Sequence, residues 1–167
     1  MNNQVVGLGL LLIIVFWIFQ MGYISNMGTI QWFLSAVAFV AITMVLGKTV
    51  MPKPSASMKH LWNVATVFLL LIAVVASFVP MSLLGVSLPA NTSPSMFVGL
   101  FLSTWLIIYG AAMFLTGNEI KDNVSSMIGI VWLLGSVHLA LVTGSNSYMH
   151  FGLLTGLPIL LTGLLKK

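Results

Sequence analysis

The stretch that decides the fold is MIGIVWLLGSVHLALVTGSNSYMHFGLLTGLPILLTGLL, residues 127–165. It is mostly apolar, and its polar residues cluster only at Gly144-Ser145-Asn146-Ser147. The hydrocarbon core of a bilayer is about 30 Å thick and takes about 20 helical residues to cross. One straight span across 127–165 is therefore far too long. A Gly-Ser-Asn-Ser run is a strong turn signal. The stretch divides into a fifth span at 127–143 and a sixth at 149–164. Read instead as one broken span, it leaves the chain with five.

Working outward, four more apolar stretches come close to the same length: 5–22, 30–47, 61–80 and 97–115. They end at Gly22-Tyr23, Gly47, Val79-Pro80 and Thr116-Gly117. Continuous hydrophobicity argues against barrel strands, which alternate with period two. The expectation is an all-α polytopic membrane protein with six transmembrane helices, residues 1–167 forming a single transmembrane domain. The start, Met-Asn-Asn-Gln, has no basic region, and no small-residue cleavage site follows. The first span is expected to be retained and not to act as a signal peptide.

The lysines choose between five spans and six. Lys48, Lys53 and Lys59 lie between spans two and three, Lys121 between four and five, and Lys166 and Lys167 after six. With six spans all of these fall on one side; with five they divide. The positive-inside rule makes that side cytoplasmic and puts both termini there. Tyr23, Trp32 and Tyr148 then fall at outer interfaces and Trp62 at an inner one, the usual place for such rings. The outer loop 80–95 carries three prolines and the tripeptide Asn91-Thr92-Ser93, a formal glycosylation sequon of little specificity.

Composition agrees. The 167 residues are 59% hydrophobic and 5% charged, with a mean hydropathy of +1.12. A soluble domain carries about 25% charged residues, so lipid must solvate this chain. The partners expected are the lipid bilayer, a small-molecule solute and further copies of the chain in a homo-oligomer, in a plasma (inner) membrane. The net charge of +4 is loop bias; no basic, aromatic-interleaved patch exists, so no nucleic acid partner is expected. There is no Cys, hence no thiolate chemistry.

Few residues offer chemistry. No Asp or Glu lies in a span; Glu119 and Asp122 flank Lys121 in a loop and read as a solvated helix-end cluster. Intramembrane carboxylates usually mark proton relays. The histidines at 60, 138 and 150 have no i,i+3 or i,i+4 spacing, so no metal site and no cofactor are expected. No nucleophile elbow, phosphate loop or dinucleotide fingerprint occurs, and the chain is not expected to be an enzyme. The ionisable residue within a span is His138, a functional candidate by default. Counted from the outer end of each span, Trp17, Ser35, Ser103, Thr104, His138 and Thr155 fall in the sixth to eighth place. They form a candidate polar layer lining a solute path. The competing reading is ordinary interhelical hydrogen bonding, worth about 0.6–2 kcal/mol per contact. Gly152-x-x-x-Gly156, Gly99-x-x-x-Ser103, Gly7 and Gly9 read as small-residue packing sites, within or between subunits.

Phe97-x-Gly99-x-x-Leu102-x-x-Trp105 resembles the fourth span of the acetate uptake transporter (succinate–acetate permease) family. His150-Phe151 and Gly156-Leu157 fall near the spacing of its sixth span, and Asn2-x-x-x-x-Gly7-Leu8 resembles its N-terminal motif, with Asn3 and Val5 in place of two prolines. The resemblance implies a six-helix protomer with cytoplasmic termini, assembled as a hexamer, with a narrow monocarboxylate path in each. Gly129-Ile130-Val131-Trp132-Leu133-Leu134 and Gly152-Leu153-Leu154-Thr155 resemble the urea and short-amide channel family, whose termini face outward, against the lysine pattern. The function expected is a channel or facilitator for a small neutral or weakly charged solute such as a short monocarboxylate. The alternatives are a non-catalytic structural subunit of a larger membrane complex and a urea or amide channel.

Overall fold

The computed structural model describes residues 2–24, 30–50, 55–78, 94–141 and 146–165. They form six helices: α1 (Asn3–Ile24), α2 (Ile30–Val50), α3 (Ala56–Phe78), α4 (Pro94–Glu119), α5 (Asn123–Leu141) and α6 (Ser147–Leu165). No strand occurs among the described residues. Five of the helices are long and apolar enough to cross a membrane; in α2 the apolar run described is Phe33–Val45. The chain is thus an all-helical integral membrane protein. Residues 127–165 do divide into two helices. Of the expected 80–95 loop, residues 80–93 with the sequon lie outside the described residues and 94–95 already belong to α4; Lys53, Pro52, Pro54, Lys166 and Lys167 also lie outside them, as do the side chains of Tyr23, Trp32 and Lys48.

Polar caps carry several helices past their apolar stretches. α3 begins at residue 56, not 61, because Ser55 caps it. The Ser55 hydroxyl accepts the Met58 N–H at 3.3 Å, and its carbonyl accepts the Lys59 N–H at 3.0 Å. α5 begins at 123, not 127, because Asp122 caps it. One carboxylate oxygen accepts the Val124 N–H at 3.3 Å and the other the Ser125 hydroxyl at 2.6 Å. The expected solvated cluster is therefore a helix junction. Its turn is a Schellman motif: Asp122 N–H donates to the Gly117 carbonyl at 2.8 Å and Lys121 N–H to that of Asn118 at 3.3 Å. Lys121 occupies the left-handed position, with φ of 54°, where glycine is usual.

Each helix packs on the next, α6 returns to α1, and α4 also reaches α6. α1 and α6 run antiparallel: Asn2 N–H donates to the Gly163 carbonyl at 2.9 Å, and Gly152 meets Phe16 at the far end. Two contacts in the ring are made backbone to backbone. A Cβ on Gly156 would lie 2.6 Å from the Gly9 carbonyl oxygen, and one on Gly129 2.5 Å from the Phe114 nitrogen and 2.7 Å from the Gly110 oxygen. The glycines of span six thus serve α1 of the same chain. Gly9 packs as expected, whereas Gly7 has nothing within 4 Å.

Inside the ring lies an aromatic layer. The Phe39 ring from α2 lies 6.2 Å from Phe16, 5.8 Å from Trp105, 5.0 Å from Tyr109, 6.3 Å from Trp132 and 5.1 Å from Phe151. These six rings, contributed by α1, α2, α4, α5 and α6, are essentially fully buried. Tyr148, expected at an interface, is buried beside Phe16 and Phe19. α3 is the least buried and α4 the most buried of the five long apolar helices. Phe68, Leu71 and Phe78 of α3 are exposed on the outside of the bundle.

Gly156→Ala and Gly129→Ala should each cost about 1–3 kcal/mol, since backbone cannot yield as a side chain can. Gly7→Ala should be neutral or slightly stabilising. Thermal unfolding in detergent checks all three, and equal midpoints for G156A and G7A would contradict the packing described.

Candidate functional site

Depth fixes only one coordinate of a helical residue. The other is rotation about the axis, about 100° per residue. The six candidates share a depth but not a direction. Ser35 and Thr155 are buried. The Thr155 hydroxyl donates to its own helix, to the carbonyls of Phe151 at 2.8 Å and Gly152 at 3.3 Å. Ser103 is buried and donates to the Ser136 carbonyl at 2.8 Å, tying α4 to α5. Thr104 is half-exposed and donates to Leu100 in its own helix. Trp17 is 49% exposed on the outer face of α1, in a shallow apolar groove with Ile13, Ile14, Ile18 and Met21. His138 is also outward. The expected single interior layer therefore resolves into buried hydroxyls at Ser35, Ser103 and Thr155, the half-exposed Thr104, and two outward-facing rings.

His138 has a partner that sequence spacing does not suggest. Its Nε2 lies 3.0 Å from His150 Nδ1. The ring centroids are 5.1 Å apart and the planes 20° from parallel. That centroid spacing is close to one hydrogen bond plus two ring radii. The rings thus meet edge to edge, nearly coplanar, and not face on face. One nitrogen donates and the other accepts, which fixes opposite roles on the facing edges. The α5–α6 hairpin creates the pair. Gly144 is six residues from each histidine, a symmetry about the turn that the sequence does display.

The interior holds a second polar feature. The Thr66 hydroxyl on α3 lies 3.0 Å from the Tyr109 hydroxyl on α4. Thr43 on α2 lies beside Tyr109 and donates to the carbonyls of Phe39 and Val40. Towards the start of α3, Trp62 Nε1 donates to Thr116 Oγ1 at 2.9 Å. Trp62, expected at a membrane interface, therefore turns to α4. Thr43, Thr66, Tyr109, Trp62 and Thr116 make an uncharged seam between α2, α3 and α4. It runs in from the end bearing Lys59 and Lys121 and stops beneath Phe39, which lies against Tyr109. Beyond the aromatic layer, buried Gln31 donates through Nε2 to the Phe19 carbonyl, and Gln20 accepts the Met149 N–H at 3.3 Å.

Neutral hydroxyls, amides and indoles can bind and orient an uncharged polar molecule. Among the described residues no three His, Asp or Glu converge as metal ligands. Sequence reasoning passed over Tyr109, Thr66, Gln20 and Gln31, and considered His150 without pairing it with His138. The glutamines carried a visible signal, being amides inside apolar runs. Comparison with protein-family models, curated proteins and solved structures finds no match.

Tyr109→Phe and Thr66→Val should each cost about 0.6–2 kcal/mol, and the double variant should cost less than their sum. A double-mutant cycle on thermal stability checks the coupling. Strict additivity would mean that the two hydroxyls do not interact.

Proposed function

We propose that the chain is a facilitator for a small neutral or weakly charged solute, with the α2–α3–α4 seam as its entrance and the aromatic layer as its gate. The observation that carries this reading is the seam itself. Each of its hydrogen bonds is ordinary for a membrane helix. Their convergence on one uncharged line, ending on bulky rings, goes beyond what helix packing requires. Such a line suits a solute that sheds little hydration. A ring layer of this kind stops conduction by excluding water.

In this reading all six helices span the membrane, and the lysine-bearing end and both termini are cytoplasmic. The contact of Asn2 with Gly163 keeps the first and last helices together at that end. The membrane is the plasma membrane and the working form a homo-oligomer. A short monocarboxylate is the leading solute, on the resemblance to the acetate uptake family; urea is the second. Ser103 and Thr155 belong to the packing around the layer. Trp17 and His138 face away from this path.

A structural subunit of a larger membrane complex is the second reading. The complete burial of Phe16, Phe39, Trp105 and Phe151 favours it, since a permanently filled centre conducts nothing.

Phe39→Ala separates the two. Proteoliposomes would be tested for uptake of acetate, urea and glycerol. The facilitator reading expects wild-type flux of at least one solute and a severalfold rise in F39A. No flux from either protein, with F39A merely less stable, leaves the structural reading.

A further inference from the structure

We infer that His138 and His150 form a two-imidazole binding site for a divalent transition-metal ion of the zinc, copper or nickel kind. The inference stands apart from the solute path, which these rings do not line.

The distance is the first support. Imidazole nitrogens bind zinc at about 2.0–2.1 Å, so two of them on one tetrahedral ion lie about 3.3 Å apart. On an ion with right-angled ligands the separation is about 2.9 Å. His138 Nε2 and His150 Nδ1 are 3.0 Å apart. They already hold the separation of neighbouring ligands. In the hydrogen-bonded form the facing edges point at each other. A pivot of roughly 35–45° of each ring brings both lone pairs to a common point beside them.

Access is the second. His138 is exposed and His150 half-exposed, so the rings have room to pivot. His138 lies three residues before the end of α5 and His150 three after the start of α6. At 1.5 Å per residue this is within one turn of the helix ends, the depth where headgroups and water begin. His150 stands at the end of its apolar stretch and His138 about 7.5 Å inside its own, so an aqueous ion meets His150 first.

Donor chemistry is the third. Imidazole selects zinc, copper, iron or nickel over magnesium and calcium, which prefer oxygen. Glu119 and Asp122 lie at the other end of α5, and no third histidine or carboxylate joins the pair among the described residues. The remaining positions on the ion are thus taken by water or by a small ligand. Bound there, the ion bridges α5 and α6 and replaces one hydrogen bond with two coordinate bonds.

The test is zinc chloride titrated calorimetrically into the full chain in detergent. One ion per chain is expected. His138→Gln and His150→Gln should each weaken binding at least tenfold, and His60→Gln, at the opposite end of the bundle, should leave it unchanged. Zinc should also raise the unfolding midpoint of the wild type and of H60Q, but not of H138Q or H150Q. Absence of zinc binding to the wild type overturns the inference whatever the variants do. So does binding that survives in either H138Q or H150Q, or that is lost in H60Q.

Discussion

Where Gly9 meets Gly156 and Gly129 meets Gly110, two helix backbones touch with no side chain between them. The rest of the bundle depends on this. In lipid, apolar side chains gain nothing by leaving their solvent, so helices associate through close packing and hydrogen bonds. Glycine lets carbonyls and amides of facing helices approach to van der Waals contact. The first and last helices become one rigid pair, and α4 and α5 another. Among the described residues α2 and α3 have no such contacts with the frame; they lie on it through rings, hydroxyls and the Gln31 amide.

That difference organises the interior. The frame contributes Phe16, Trp105, Trp132 and Phe151, which stack around Phe39 of α2. Each ring pair is worth about 0.5–1.5 kcal/mol beyond its buried area. The seam of Thr43, Thr66 and Tyr109 then falls between the frame and the α2–α3 hairpin. Contacts through side chains rearrange by changing rotamers, whereas a backbone contact cannot. The seam is therefore the boundary along which the bundle can open at least cost. The indole N–H groups of Trp105 and Trp132 are buried without an acceptor among the described residues. They are donors placed on the frame side of that boundary.

Much of the architecture was legible in the residues. Hydrophobicity and the Gly-Ser-Asn-Ser composition of 144–147 separate α5 from α6, and Gly152-x-x-x-Gly156 marks a close helix contact. Which helix it meets was not legible, because a small residue says that something approaches and not what. The caps at Ser55 and Asp122 are legible from their place ahead of apolar runs, where a short polar side chain meets free backbone N–H groups. The site was harder. Trp17 and His138 share a depth with Ser35 and Ser103, but their rotation about the helix axis sends them outward. The His138–His150 pair joins two helices across a turn, so rules for spacing within one helix are blind to it.

The central claim is a rigid frame of two glycine-joined pairs carrying a more loosely held α2–α3 hairpin. Hydrogen exchange followed residue by residue in detergent micelles measures it most directly, because amides exchange in the order in which cooperative units open. The account predicts that amides of α2 and α3 exchange first and together, with those of α1, α4, α5 and α6 protected well after. Exchange of all six helices at one rate, or of α1 and α6 ahead of α2 and α3, would contradict it.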